Sequence, residues 1–467
     1  MGGFFGCVSK QDCVTDVFYG TDYHSHLGTK RGGLAFQNRH GITKSIKNIE
    51  NTYFRTKLEP ELPNLSGKKG IGVISDTDAQ PLIIGSHLGT FGIVMVGKIN
   101  NMDDIVCNAF KQGHHFSEAS EGAVNPTELV AMLINQQATF KEGILYAQKI
   151  IQGSCSLLLL TKDGIYAARD RLGRTPVVLG RRNGTYAATS ESCALFNLGY
   201  EIEKYLGPGE IVCLTADGQE QISAPGDELQ ICSFLWVYYG YPASSYENIN
   251  VEEVRYRCGW ALAERDDIPI DFVSGIPDSG IAHAVGYANK KQIPYRRPFV
   301  KYTPTWPRSF MPQEQHLRDL VAKMKLLPIP QVIRGQRVMF CDDSIVRGTQ
   351  LKDNVQILFD FGAKEVHMRT ACPTLIYPCE FLNFSASRST LDLVGRKVIH
   401  ELEGGHMDAL AEYAISGSEK NRAMVEKIRE QLLLTSLKFQ LLEDMVNAIG
   451  LPKSQLCTHC WDGSSHF

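Results

Sequence analysis

Residues 338–349 read Val338-Met339-Phe340-Cys341-Asp342-Asp343-Ser344-Ile345-Val346-Arg347-Gly348-Thr349. The apolar run at the front suits a strand buried on both faces of a parallel sheet. Two carboxylates follow where that strand would end, then a hydroxyl-rich turn, then a helix from about Gln350. In open parallel sheets, ligands bind beyond the carboxyl ends of the strands. A turn that aims N–H groups and hydroxyls from the start of a helix accepts anions. Two aspartates would repel a bare phosphate. They suit the hydroxyls of a ribose, or a divalent cation chelated by a phosphorylated sugar. A strand ending in a solvated acidic turn is the plainer alternative, and it leaves the following turn and helix unexplained.

The segment Val338–Gln350 resembles the phosphoribosyl pyrophosphate (PRPP) motif of type I phosphoribosyltransferases, in the form found in glutamine PRPP amidotransferases. The resemblance implies that Asp342, Asp343, Ser344, Ile345, Val346, Arg347, Gly348 and Thr349 cradle PRPP, with Asp342 and Asp343 at a Mg²⁺ ion. It also implies a place in purine synthesis, forming 5-phosphoribosylamine.

The chain has 467 residues, enough for two or three domains. Hydrophobic content of 43% and charged content of 21% are those of a soluble globular protein. A net charge of −3 suggests no nucleic-acid partner. The start, Met1 to Asp12, lacks a basic region and a long apolar run, so no signal peptide is expected. No stretch approaches the ~20 apolar residues of a membrane span. A cytoplasmic protein is the expectation.

Residues 1–228 are rich in strand signals: Gly70–Ile74, Gly92–Gly97, Ser154–Thr161 and Val177–Leu179, with helices at Pro126–Gln136 and around Ile144–Ile151. This half resembles the glutaminase domain of the amidotransferases, which implies an α+β sandwich of the N-terminal-nucleophile type. Gly3-Phe4-Phe5-Gly6, Ala79-Gln80-Pro81-Leu82, Gly97-Lys98-Ile99-Asn100-Asn101 and Leu172-Gly173-Arg174-Thr175-Pro176 carry the likeness, as do the stretches Asp163–Asp170, Ser190–Leu195 and Pro208–Ile211.

The chemistry departs from the family's. Glutamine hydrolysis there needs an N-terminal cysteine whose α-amine acts as base. Position 2 is Gly2, and Cys7 and Cys13 lie too far along to serve. Val96 stands where an amide donor would stabilise the tetrahedral oxyanion. The segment Gly70–Thr77 lacks the arginine that holds the glutamine carboxylate, and Asn125-Pro126-Thr127-Glu128 replaces the acidic pattern that holds its amine. Four losses on one substrate argue that this half no longer hydrolyses glutamine. A deliberate Cys→Gly change would not explain the other three.

Residues 229–455 alternate strands and helices: a strand at Phe272–Ile276, a turn at Pro277-Asp278-Ser279-Gly280, a helix to Lys290, the strand Val338–Cys341, a helix to Phe361, and a strand at Glu365–Thr370. That rhythm implies an α/β domain with a parallel sheet, here the type I phosphoribosyltransferase domain. Val300-Lys301 with Arg308-Ser309-Phe310, and Arg318 to Lys325, resemble the family's Val-Lys segment and the mobile loop over the pyrophosphate, so Lys301, Arg308 and Lys325 are expected to bind PRPP. The segment after Cys379 lacks the family's Gly-Ile-Asp element. Leu432–Ile449 reads as one amphipathic helix.

Thirteen cysteines, an odd number, argue against a disulfide framework. Residues 456–467 form a short tail carrying Cys457-Thr458-His459-Cys460. On its own a CxxC pair suits a redox couple or half a zinc site. Some amidotransferases hold a [4Fe–4S] cluster with one cysteine opening the second domain, one after a sheet strand and a terminal CxxC. Cys232, Cys379, Cys457 and Cys460 fill those places, with His459 as a spacer. Zinc in a Cys₄ site and unligated core thiols are the alternatives.

The sequence reading is therefore an amidophosphoribosyltransferase that takes PRPP and ammonia, its glutaminase lost, in a homo-oligomer such as a tetramer. The alternative is a PRPP-binding paralogue that regulates or co-assembles with an active amidotransferase, and an ammonia-delivering partner is a third possibility.

Overall fold

The computed structural model describes residues 2–120, 123–301, 326–382 and 389–464. The N-terminal half is a four-layer sandwich. Among the described residues, one sheet runs Glu201–Tyr205, Val178–Arg182, Thr185–Thr189, Gly2–Val8, Lys69–Ser75, Arg31–Asn38, Gly41–Asn48, every pair antiparallel. The other runs Gly218–Ser223, Ile211–Thr215, Ile165–Ala168, Gly153–Leu160, Gly89–Ile99, Leu82–Ser86, also antiparallel. Side chains alternate across each strand. In Gly2–Val8, Phe4 and Val8 meet Val94, Val96 and Leu158 of the opposite sheet, while Phe5 and Cys7 meet Val17 and Phe18 of the helix Val14–Asp22. Helices Pro126–Asn135 and Phe140–Ile150 cover the second sheet's outer face.

The second half carries a parallel sheet in the order Phe272–Gly275, Arg337–Asp342, Glu365–Thr370, Ser436–Phe439. Its second strand is buried on both faces, as its unbroken apolar run requires. Val338 and Phe340 enter one core with Val355 and Met424; Met339 and Cys341 enter the other with Leu262, Ala284 and Tyr287.

One expectation is corrected. Leu432–Ile449 is not a single helix. Leu433 takes a left-handed φ of +60° after the helix Glu419–Gln431, Ser436–Phe439 joins the sheet as its fourth strand, and only Leu442–Ile449 is helical. The local pattern is helical, and pairing with Glu365–Thr370 overrides it.

The tail does not stand apart. Ile231↔Leu456 and Cys232↔Cys457 form a parallel two-stranded ribbon, and Trp461 stacks on Phe234 with ring centres 4.8 Å apart. Among the described residues, no helix is long and apolar enough to cross a membrane.

Candidate active site

The strand Arg337–Asp342 delivers two carboxylates to the carboxyl edge of the parallel sheet. The next turn is pinned by its apolar members. Ile345 is buried in the core beneath the sheet, Val346 packs on the core formed by Trp236 and Val254, and the Val346 carbonyl accepts from Val394 N at 2.7 Å. Two anchors pulling into different cores leave Ser344, Arg347 and Thr349 at or near the surface. Gly348 has φ +76°, a conformation that disfavours side chains, and directly precedes the helix Thr349–Asp360.

Asp342 and Asp343 differ in setting. Asp342 Oδ1 accepts from Asp343 N at 2.9 Å and from the Ser279 hydroxyl at 3.1 Å. Asp343 is buried, and its Oδ2 accepts from the Ser344 hydroxyl at 2.7 Å. Loss of water around it, and then the neighbouring charge of Asp343, hold the Asp342 carboxyl well above the usual carboxylate range.

The turn at Pro277–Gly280 closes over the same edge. Gly280 lies so near the central strand that a Cβ there would come within 2.2 Å of the Cys341 carbonyl. Asp278, preceded by a cis peptide, takes a 2.6 Å ion pair from Lys301 Nζ. The fold thus brings Lys301, Asp278, Ser279, Asp342, Asp343 and Ser344 to one edge of the sheet. Arg347 turns aside to Asp392 at 3.4 Å. Arg308 and Lys325 lie outside the described residues.

The positions expected to have lost glutamine chemistry are filled with packing. Gly2 sits inside the sheet opposite Ser75, and a Cβ built on it would come within 2.4 Å of the Ile74 carbonyl. Val96 is buried between the sheets. Asn125 caps the helix Pro126–Asn135, accepting from Thr127 N at 2.8 Å and donating to the Ala79 carbonyl at 3.3 Å. Both oxygens of Glu128 accept from the loop amides of Ser117 and Glu118, each at 2.8 Å.

The four cysteines of the expected cluster come from three separate segments that meet at the junction of the two halves. Cys232 and Cys457 are register partners in the terminal ribbon. The Cys460 carbonyl accepts from Ile376 N at 3.0 Å and Tyr377 N at 3.1 Å, which ties the tail to the Cys379 segment. Cys379 Sγ accepts from Leu382 N at 3.4 Å. Burial first, then the charges of Cys457 and Cys379, push the Cys232 thiol up; a hydrogen bond with Cys379, then burial, does the same to Cys460. Among the described residues, no three His, Cys, Asp or Glu side chains form a ligand set for a single ion.

The sequence marks Ser279 within the Pro277–Gly280 turn, which resembles the family's turn beside the pyrophosphate, and includes Arg174 without assigning it a role. Ser279 stood in a recognisable turn, and only the tertiary fold sets its hydroxyl on Asp342. Arg174 meets its partner Cys457 from 283 positions away, a separation that leaves no local signal.

A glutamine amidotransferase domain model matches residues 69–197. The amidophosphoribosyltransferase of Methanocaldococcus jannaschii is 30% identical over 99% of this chain and 97% of its own. The chain belongs to the amidophosphoribosyltransferase family. Within that family, chloroplastic amidophosphoribosyltransferase 1 of Arabidopsis thaliana is 31% identical over 94% of this chain and 74% of its own. The amidophosphoribosyltransferase fold also superposes on a solved structure, the glutamine PRPP amidotransferase of B. subtilis complexed with ADP and GMP, with a TM-score of 0.85, 26% identity, and coverage of 99% and 96% of the two chains.

Proposed function

We propose that this protein forms 5-phosphoribosylamine from PRPP in purine biosynthesis, with ammonia rather than glutamine as the nitrogen donor. The observation that carries the choice of donor is Gly2, a residue with no nucleophile, at a position where the Ile74 carbonyl leaves no room for a side chain. The cradle needs no nucleophile from the protein. The lone pair of ammonia attacks C1 of the ribose, the bond from C1 to the pyrophosphate oxygen breaks, pyrophosphate leaves, and nitrogen gives up a proton.

The roles of the chain's own residues follow from their places. The Ser344–Thr349 turn presents backbone and hydroxyl donors to the 5-phosphate. Asp342 and Asp343 take the ribose hydroxyls, and Lys301 meets the pyrophosphate beside Asp278. Two carboxylates in contact with two hydroxyls form a hard-oxygen donor set that suits Mg²⁺, and Asp342 and Asp343 would hold it. When bound, the ion supplies charge neutralisation on the leaving pyrophosphate. Arg308 and Lys325 are proposed to join there on the family resemblance.

Cys232, Cys379, Cys457 and Cys460 are proposed to hold a [4Fe–4S] cluster. The support is the donor set itself, four thiols on three segments joined by the Cys232–Cys457 ribbon and by the bonds of Ile376 N and Tyr377 N to the Cys460 carbonyl. A cluster binds each thiolate on its own iron, so its sulfurs need not close around one point as they do around zinc. Bound, it would tie the tail to the body of the chain. Iron and acid-labile sulfide on anaerobically purified protein test this, and zinc without sulfide would replace the cluster by a Cys₄ site. Assembly as a tetramer and a cytoplasmic location rest on family resemblance and composition, and light scattering tests the first.

The test of function is pyrophosphate release from Mg²⁺ and PRPP, with ammonium and glutamine in parallel. Turnover with ammonium only is expected. Turnover with glutamine would overturn the donor assignment. No turnover with either, while PRPP binds, would favour a regulatory paralogue of an active amidotransferase.

A further inference from the structure

Arg174 belongs to the N-terminal half, and its side chain ends among the cysteines of the other half. Its Nη1 donates to Cys457 Sγ at 3.2 Å. Its guanidinium carbon lies 3.4 Å from the ring centre of Phe381, two residues beyond Cys379. Its carbonyl accepts from Cys232 N at 3.2 Å. One residue therefore touches each of the three segments that carry the four thiols.

The turn that presents it is stiff. Asp170 accepts from Arg174 N at 3.0 Å and Thr175 N at 3.1 Å, and also from the Ser156 hydroxyl at 3.2 Å. Lys98, from the same half, donates to the Cys379 carbonyl at 3.4 Å. Arg174 is 1% exposed. Thiolates that ligate a metal carry negative charge, and a hydrogen bond from guanidinium to thiolate is stronger than one to a neutral thiol.

We infer that Arg174 is a positioning residue of the four-cysteine centre, and that presenting it is what the N-terminal half contributes to the protein once glutamine chemistry is gone. The inference rests on the reading of Cys232, Cys379, Cys457 and Cys460 as a metal-loaded centre. It differs from a generic domain contact because the cation, the ring and the backbone acceptor converge on the ligand segments themselves.

The experiment compares full-length wild type, Arg174→Gln and Arg174→Lys, purified without oxygen. It reads iron, zinc and acid-labile sulfide per chain and the rate at which bound metal is lost in air or to a chelator, with circular dichroism as the check on folding. Arg174→Gln is expected to lose metal about tenfold faster, the usual scale for a partner that orients a metal ligand. Arg174→Lys keeps the charge without the planar fork and should fall between the two. Wild-type metal content and loss rate in Arg174→Gln would overturn the inference while leaving the four-cysteine reading intact. Wild type without bound metal would overturn both. If Arg174→Gln does not fold, Arg174→Lys carries the test: loss faster than wild type supports the inference and an unchanged rate overturns it.

Discussion

The Ser279 hydroxyl donates to Asp342 Oδ1 at 3.1 Å, joining the turn after one strand to the carboxylate at the end of the next. Removing it with Ser279→Ala should free Asp342 to rotate from the cradle. A hydrogen bond of this kind contributes about 1 kcal/mol, so kcat/KM for PRPP should fall roughly fivefold. Global stability should change little, and steady-state kinetics beside a urea titration separates the two effects. An unchanged kcat/KM would mean that Asp342 is held by other contacts.

Restoring a thiol will not restore the lost reaction. Gly2→Cys places a Cβ against the Ile74 carbonyl, and Val96 still offers no amide to an oxyanion. Glutamate release from glutamine should stay at background in that variant, and release well above background would show that the pocket opens further than the packing of Gly2 implies.

Gly280→Ala should damage the cradle from the other side. The added methyl would meet the Cys341 carbonyl, and overpacking of this kind costs about 1–3 kcal/mol. Gly85→Ala is the matched control, since nothing lies within 4 Å of its Cβ position. Thermal melts should separate the two variants clearly, and equal melts would show that the strand and turn can move apart.

His24 makes the N-terminal half sensitive to acid. It is fully buried, its Nδ1 donating to the Gly20 carbonyl at 2.9 Å and its Nε2 accepting from the Thr189 hydroxyl at 3.1 Å. Burial, above all, lowers its pKa to about 4. The unfolded chain, titrating near 6.5, binds the proton first, so stability is complete above that pH and declines as pH falls toward 4. The full effect is roughly 3 kcal/mol. Urea midpoints should drop across that window in the wild type and drop less in His24→Gln; parallel curves would assign the acid sensitivity to other groups.

Asp266 and Arg369 form a two-pronged ion pair with no solvent access to either side chain. Burial pushes the Asp266 carboxyl up, but Arg369, Tyr287 and Lys438 outweigh it and hold the group below the usual range. Asp266→Asn would leave a buried guanidinium short of its counter-charge, a loss of about 3–5 kcal/mol. Denaturant unfolding measures it, and a loss below 1 kcal/mol would show that water reaches Arg369.

What could be read from the sequence followed how local each signal was. The strand Arg337–Asp342 and its turn were legible because apolar run, carboxylates and helix start are contiguous. The strands Gly153–Leu160 and Gly89–Ile99 were legible from β-rich runs, with ends off by one to three residues. Gly2–Val8 was not assigned as a strand, because three glycines in seven residues speak against one, and it is stabilised by neighbours on both sides. Ser436–Phe439 was absorbed into a helix because four residues carry too little period of their own. Arg174 was invisible as a site residue for the same reason at longer range.

The ribbon between Ile231–Cys232 and Leu456–Cys457 sets an order of events during synthesis. The sandwich of residues 1–228 can pack while translation continues, as N-terminal domains generally do. The opening of the second half must wait until residue 457 has been made before it finds its pairing partner. Until residue 461 follows, Phe234 lacks the Trp461 ring that stacks on it, and apolar surface stays open to chaperones or to other nascent chains. A ribosome stalled before residue 456 should therefore carry a finished first half and an unlatched second.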